Sequence, residues 1–196
     1  MEYLAIKSNK ENLIKGPLII KPKIFFDNRG YFFESWNHSE FNKMIARKVD
    51  FVQDNHSESK LGVLRGLHFQ LNPKAQAKLV RCTRGEIFDV LVDLRKDSDT
   101  YGEWSSVVLN GQNKLQFWIP EGFVHGFISL KNSSEVQYKT NEYWDKDHER
   151  SLLWKDSDLN INWPLANTNE KCKIITNYKD SIAPTLKEIK NSGDLF

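Results

Sequence analysis

Between Asp50 and Tyr143 the chain breaks into eight short segments rich in apolar, β-branched and aromatic residues, each bounded by turn residues. They cover residues 51–56, 63–70, 77–84, 87–94, 105–109, 115–119, 124–130 and 135–143. Gly85, Asp97-Ser98-Asp99, Asn110-Gly111 and Pro120-Glu121-Gly122 supply the breaks. Segments this short suit strands, and strands at this spacing close into an antiparallel sandwich or barrel. The flanks contribute less. Residues 1–16 are polar and read as an arm, and residues 18–26, interrupted by Pro22, suit an edge strand because proline cannot donate to a ladder. Asp27-Asn28-Arg29-Gly30 is a turn signal ahead of the aromatic run Tyr31-Phe32-Phe33-Glu34. Ser39 suits the cap of one short helix, with Phe41, Met44 and Ile45 at helical spacing. Residues 184–196 read as a helical tail. The expected architecture is all-β, in one domain over residues 1–196, with minor helix.

Composition narrows the partners. A chain of 196 residues is the size of one domain. Its net charge of +2 argues against nucleic acid as a bulk electrostatic partner. No apolar run approaches the roughly 20 residues that span a bilayer, and residues 1–10 lack the apolar core of a signal peptide. Cys82 and Cys172 are too few and too far apart for a disulfide framework or a zinc site. The expectation is a cytoplasmic protein with no membrane or nucleic-acid partner.

Gly62-Val63-Leu64-Arg65-Gly66-Leu67-His68-Phe69-Gln70 places a guanidinium and an imidazole three residues apart in one strand-like run. An imidazole exchanges protons near neutral pH, and a guanidinium suits bidentate phosphate binding. On pattern alone a histidine between Leu67 and Phe69 suits a hydrogen-bonded structural role better than a catalytic one. In a regular strand an odd separation sends two side chains to opposite faces, so a shared site requires a bulge, for which Gly66 is placed. Lys78 is either a solvated strand residue or, facing inward, a partner for a developing oxyanion. Tyr138 is either core or a proton donor. Pro120-Glu121-Gly122-Phe123-Val124-His125 resembles half of the metal-binding signature of cupin barrels. The other half needs a His-x-His and a following Glu, and the earlier strand offers only His68, then Phe69 and Gln70. That set does not assemble three ligands, so no metal is expected.

Several blocks in one order resemble the dTDP-4-dehydrorhamnose 3,5-epimerases, metal-free cupins that act on nucleotide-linked 4-keto sugars. They are Asp27 to Glu34, Phe51 to Ser57, Gly62 to Gln70, Lys78-Leu79-Val80-Arg81, Arg84 to Val90, Trp118 to Gly126 and Tyr138-Lys139-Thr140. Trp154-Lys155-Asp156 and Ile161-Asn162-Trp163-Pro164 extend the likeness. The resemblance implies a cupin-type double-stranded β-helix, or jelly-roll barrel, with short peripheral helices. It implies an isomerase without cofactor, a homodimer, and a nucleotide-diphosphate 4-keto-6-deoxy sugar inverted at C3 and C5 through an enolate.

By position, His68 looks like the catalytic base, Asp180 the carboxylate that orients it, Tyr138 the general acid and Lys78 the holder of the enolate oxygen. Arg65, His125, Arg29, Glu34, Gln53, Asn55 and Tyr143 resemble substrate-binding residues, and Arg29 is expected to serve a neighbouring subunit. The link over residues 165–176 is longer than the family's usual one. Shared catalytic residues leave open a C3-only epimerase of a GDP- or CDP-linked 4-keto sugar or heptose. Two further alternatives are a metal-dependent cupin and a non-catalytic nucleotide-sugar binding cupin.

Overall fold

Between residues 53 and 151 most strands consecutive in sequence alternate between two facing sheets, the winding of a double-stranded β-helix. The computed structural model describes residues 2–164 and 173–196. Its elements are β1 (Glu2–Lys7), β2 (Leu13–Lys21), β3 (Phe25–Asp27), β4 (Gly30–Phe32), α1 (His38–Met44), β5 (Gln53–Ser59), β6 (Leu64–Gln70) and β7 (Lys78–Arg84). There follow β8 (Glu86–Asp93), β9 (Trp104–Asn110), β10 (Gln116–Ile119), β11 (Phe123–Ser129), β12 (Ser134–Thr140), β13 (Glu149–Ser151), α2 (Tyr178–Ser181) and α3 (Leu186–Ser192). One sheet has the order β1-β2-β10-β7-β12-β5, the other β13-β6-β11-β8-β9, and β3 and β4 form a separate hairpin. The fold is the expected all-β, cupin-type barrel.

Side-chain alternation divides the core into three layers. Between the sheets lie Val80, Ile87, Leu91, Leu109, Phe117, Ile119, Phe123, Phe127 and Val136. On the outer face of the five-stranded sheet, Leu64, Leu67, Phe69, Val90, Val92, Val124 and Ile128 pack against Leu152, Leu159, Trp163 and Ile189 from the C-terminal part. The central strands β8 and β11 are therefore covered on both faces, which explains their unbroken apolar runs. Outside the six-stranded sheet, Phe41 of α1 meets Trp118 edge-to-face at 5.1 Å between ring centroids. Each such fully buried side chain contributes roughly 1.5–3 kcal/mol.

All eight expected strands are present, with no end shifted by more than three residues. Three expectations need correction. Residues 1–16 do not form an arm: β1 and the start of β2 are a hairpin, with Ile6 and Ile14 driven into the inter-sheet core. Single isoleucines set among charged residues hid that pattern. Nor is β2 an edge strand, since it lies between β1 and β10, and Pro22 falls just past its end. Helix α1 begins at His38 with Asn37 as its cap, because the Asn37 side chain accepts the N–H of Glu40. Strand β13 and helix α2 were not foreseen, being short and polar. The tail does hold a helix, α3, whose Thr185 and Glu188 form a capping box. Cys82 is free and buried; Cys172 and most of the long link over residues 165–176 lie outside the described residues.

The break that places the site is in β6. Opposite β11, His68 pairs with His125 but Arg65 pairs with Phe127, so three steps on one strand answer two on the other. The extra residue is accommodated at Gly66, which has φ of +122°. Leu64, Leu67 and Phe69 consequently face the outer core, while Arg65 and His68 both face inward. A Cβ at Gly66 would stand 2.6 Å from the Cα of Gly126 and 2.9 Å from the carbonyl oxygen of His125. Gly66→Ala is expected to lose roughly 2–4 kcal/mol of unfolding free energy, from overpacking and an unfavourable φ. Urea denaturation of variant and parent, showing equal midpoints, would refute this account of the bulge.

Candidate active site

Inward-facing positions of β6, β7, β11 and β12 converge on a cavity of 310 Å³ closed at one end by α2. His68 is its centre. The imidazole Nε2 lies 2.6 Å from Oδ1 of Asp180, and the other carboxylate oxygen accepts the N–H of Gly66 at 3.2 Å. Asp180 reaches this point because Asn177 caps α2, its side chain accepting the Asp180 N–H at 2.7 Å. Burial pushes the Asp180 carboxyl up, yet the hydrogen bond and charge of His68, with the Gly66 N–H, hold it below the usual value. The bulge and the carboxylate therefore support each other: the glycine that turns His68 inward also donates to its partner.

Lys78, the first residue of β7, is buried, and its Nζ donates to the carbonyl of His68 at 3.3 Å. Burial lowers its pKa to about 8, against the pull of Asp89 and Glu149, which favour the charged form. Tyr138 lines the same cavity from β12, and burial raises its pKa, partly offset by Arg65. The phenol thus stays protonated at neutral pH. Arg65 stands at the mouth, tied to Ser59 Oγ at 3.1 Å and the carbonyl of Glu58 at 3.0 Å. His125, directly opposite His68 across β6 and β11, bonds through Nε2 to Asp89 at 2.6 Å. Burial lowers its pKa despite the Asp89 charge. The cavity thus offers an imidazole–carboxylate pair, a phenol and an ammonium within one space.

Of the residues read from sequence, His68, Lys78, Tyr138, Asp180, Arg65, His125 and Asn55 line this cavity. Asn55 and Tyr138 also line an adjoining cavity of 200 Å³ with Arg81, Gln116 and Gln137. Gln53 stays behind the rim, its amide donating to Asn55 at 2.9 Å. Arg29, Glu34 and Tyr143 are not brought to the site within one chain. Arg29 is 85% exposed on the β3–β4 turn and pairs with Asp27 at 2.6 Å. Glu34 accepts from Asn37 on the exposed start of α1, and Tyr143 lies past the end of β12, with its side chain in solvent. Sequence reasoning missed Asn177 and Asp89. A carboxylate inside Ile87-Phe88-Asp89-Val90-Leu91 was the available signal for Asp89, since an acid in a doubly covered strand needs a partner. Among the described residues, no three His, Cys, Asp or Glu side chains gather into a metal-holding group.

The arrangement suits proton removal beside a carbonyl, and comparison with known proteins points the same way. Residues 11–188 match the family model described as dTDP-4-dehydrorhamnose 3,5-epimerase. The Shigella flexneri enzyme of that name is 57% identical over 166 residues, 85% of this chain and 92% of that protein. The crystal structure of dTDP-6-deoxy-D-glucose-3,5-epimerase from Legionella pneumophila, in complex with dTDP-4-keto-L-rhamnose, superposes with a TM-score of 0.88 at 40% identity. That superposition covers 99% of this chain and 97% of the other. A 3'-monoepimerase from Streptomyces bikiniensis in complex with dTDP-quinovose gives 0.86 at 30% identity, over 93% of this chain and 89% of that one. Match and geometry agree over nearly the whole length, and the chain belongs to the dTDP-4-dehydrorhamnose 3,5-epimerase family.

Proposed function

We propose that this enzyme inverts C3 and C5 of a dTDP-linked 4-keto-6-deoxy sugar, with His68 as base, Tyr138 as acid and Lys78 as holder of the enolate oxygen. One observation carries the assignment of roles: the His68–Asp180 pair, Lys78 and Tyr138 surround a single cavity. A 4-keto group acidifies the hydrogens on C3 and C5. His68 removes one, and Asp180 orients the ring and stabilises the imidazolium. The ammonium of Lys78 is buried, so its attraction to the negative oxygen is stronger than it would be in water. Tyr138 returns a proton to the opposite face, which inverts the centre. These steps need no cofactor. Arg65 is positioned to hold the diphosphate.

The same reading takes the active form as a homodimer. The β3–β4 hairpin exposes Phe25, Phe26, Tyr31 and Phe32 beside Arg29, an apolar patch suited to a second copy of this chain. Arg29 of the partner subunit then completes each nucleotide site. A cytoplasmic location accords with Cys82 as a free thiol, and no helix among the described residues is long and apolar enough to cross a membrane.

Incubation with a dTDP-4-keto-6-deoxy sugar in deuterated water tests the reaction: deuterium is expected at both C3 and C5. Label at C3 alone would reduce the activity to that of the Streptomyces neighbour, and no label would sink the reading. His68→Ala should abolish exchange, and Tyr138→Phe should keep proton removal while impairing inversion. The Lys78 role predicts an alkaline limb. Its ammonium is charged below a pKa of about 8 and neutral above it, so kcat/KM falls as pH rises through about 8. Lys78→Ala should cost on the order of 10² in rate and remove that limb; a limb that persists excludes Lys78 as its source. For the dimer, His68→Ala and Arg29→Ala chains are mixed. Random exchange gives heterodimers with one intact site, so about a quarter of wild-type activity should return. No recovery would place Arg29 in its own chain's site.

A further inference from the structure

A second imidazole–carboxylate pair presents its ring to the same cavity and takes no part in the proton transfers assigned above. Asp89, on β8, is fully buried between the sheets, and His125 is only 8% exposed. Their 2.6 Å hydrogen bond uses Nε2 of the ring, while Nδ1 makes no hydrogen bond among the described residues and the ring lines the cavity. Two alternations fix this arrangement. Asp89 shares the inward parity of Ile87 and Leu91 on β8, and His125 that of Phe123 and Phe127 on β11. The pair therefore stands at the floor of the site, across the strand from His68 and beside the inward-facing Lys78.

We propose that Asp89 is a positioning residue, which fixes His125 with its ring hydrogen on Nε2 and provides the buried counter-charge to the Lys78 ammonium. A carboxylate only accepts hydrogen bonds, so the ring nitrogen facing it must carry the hydrogen. Nδ1 is then left as a lone-pair acceptor toward the substrate, able to take a hydrogen bond from a sugar hydroxyl. This is the orienting logic of an Asp behind a histidine, here applied to a binding ring rather than a base. The second part follows from charge. A buried ammonium needs a nearby anion to remain charged. Asp89 on β8 and Glu149 on β13 favour the charged form of Lys78, and Arg65, Asp180 and the rings of His68, His125 and Tyr138 line the cavity with it. Of the two carboxylates that favour its charged form, Asp89 acts more strongly, and Glu149 is already paired with Lys179 at 2.5 Å. Asp89 thereby sets the upper pH at which the enolate oxygen meets a positive charge.

The inference rests on the proposed reaction, and its test separates the two. Ring-nitrogen NMR of wild-type protein, with selectively labelled histidine, reports the tautomer without any turnover. Hydrogen on Nε2 of His125 is expected, and hydrogen on Nδ1 overturns the proposal. That measurement decides even if every Asp89 variant fails to fold. In folded Asp89→Asn, the alkaline limb of kcat/KM should move about one unit to lower pH, with a smaller move in Glu149→Gln. An unmoved limb in Asp89→Asn, or a larger move in Glu149→Gln, overturns it. Absence of deuterium exchange by the wild-type enzyme would instead refute the reaction itself.

Discussion

Gly66 and Gly126 touch backbone to backbone in the middle of the five-stranded sheet, and the site depends on that contact. Without side chains at either position, β6 can hold one residue more than β11 over the same span. The extra residue reverses the alternation, so Leu64 and Leu67 both bury in the outer core while Arg65 and His68 both turn into the barrel. A regular strand would force a choice between these. Either Arg65 or His68 would enter the outer apolar layer, where a charge is costly, or a leucine would fill the cavity. The bulge lets one seven-residue strand serve a hydrophobic core and a polar site together. Its freed N–H is then used by Asp180, which ties α2 and the end of the chain to the bulge.

The strands were legible because β8, β11 and their neighbours carry β-branched and aromatic residues in blocks closed by Gly, Asn and Asp. The hairpin at the N-terminus was not, because one buried isoleucine per strand face sits among Lys, Glu and Asn, and tertiary pairing with β10 supplies what local pattern lacks. That Arg65 and His68 could share a site only through a break, for which Gly66 was placed, was readable from parity, since 65 and 68 differ by an odd number. What that parity could not supply was the partner. Asp180 lies 112 residues from His68 in sequence, and only the packing of α2 against β6 brings them to 2.6 Å. Resemblance to a known family pointed to Asp180, whereas no local feature did. Arg29, Glu34 and Tyr143 show the converse: motif position named them, and one folded chain leaves them outside the cavity.

Two imidazole–carboxylate pairs directly opposite each other would be redundant if their surroundings matched, and they do not. His68 is 30% exposed and opens onto the cavity at the end of a strand pair with the short β13. His125 is enclosed between β8 and β6, where burial disfavours the imidazolium. A base must gain a proton and release it within one turnover, so access to substrate and solvent matters as much as the carboxylate behind it. A ring that only accepts a hydrogen bond gains from enclosure, which fixes its orientation and excludes competing water. In the proposed reaction the same two side-chain types divide into a proton carrier and a fixed acceptor according to burial, as paired carboxylates do when their environments differ. Lys78 lies between these regimes, buried enough to strengthen its attraction to an oxyanion and close enough to Asp89 to keep much of its charge near neutral pH. Strand parity thus decides which groups enter the barrel, and depth within it decides what each one does.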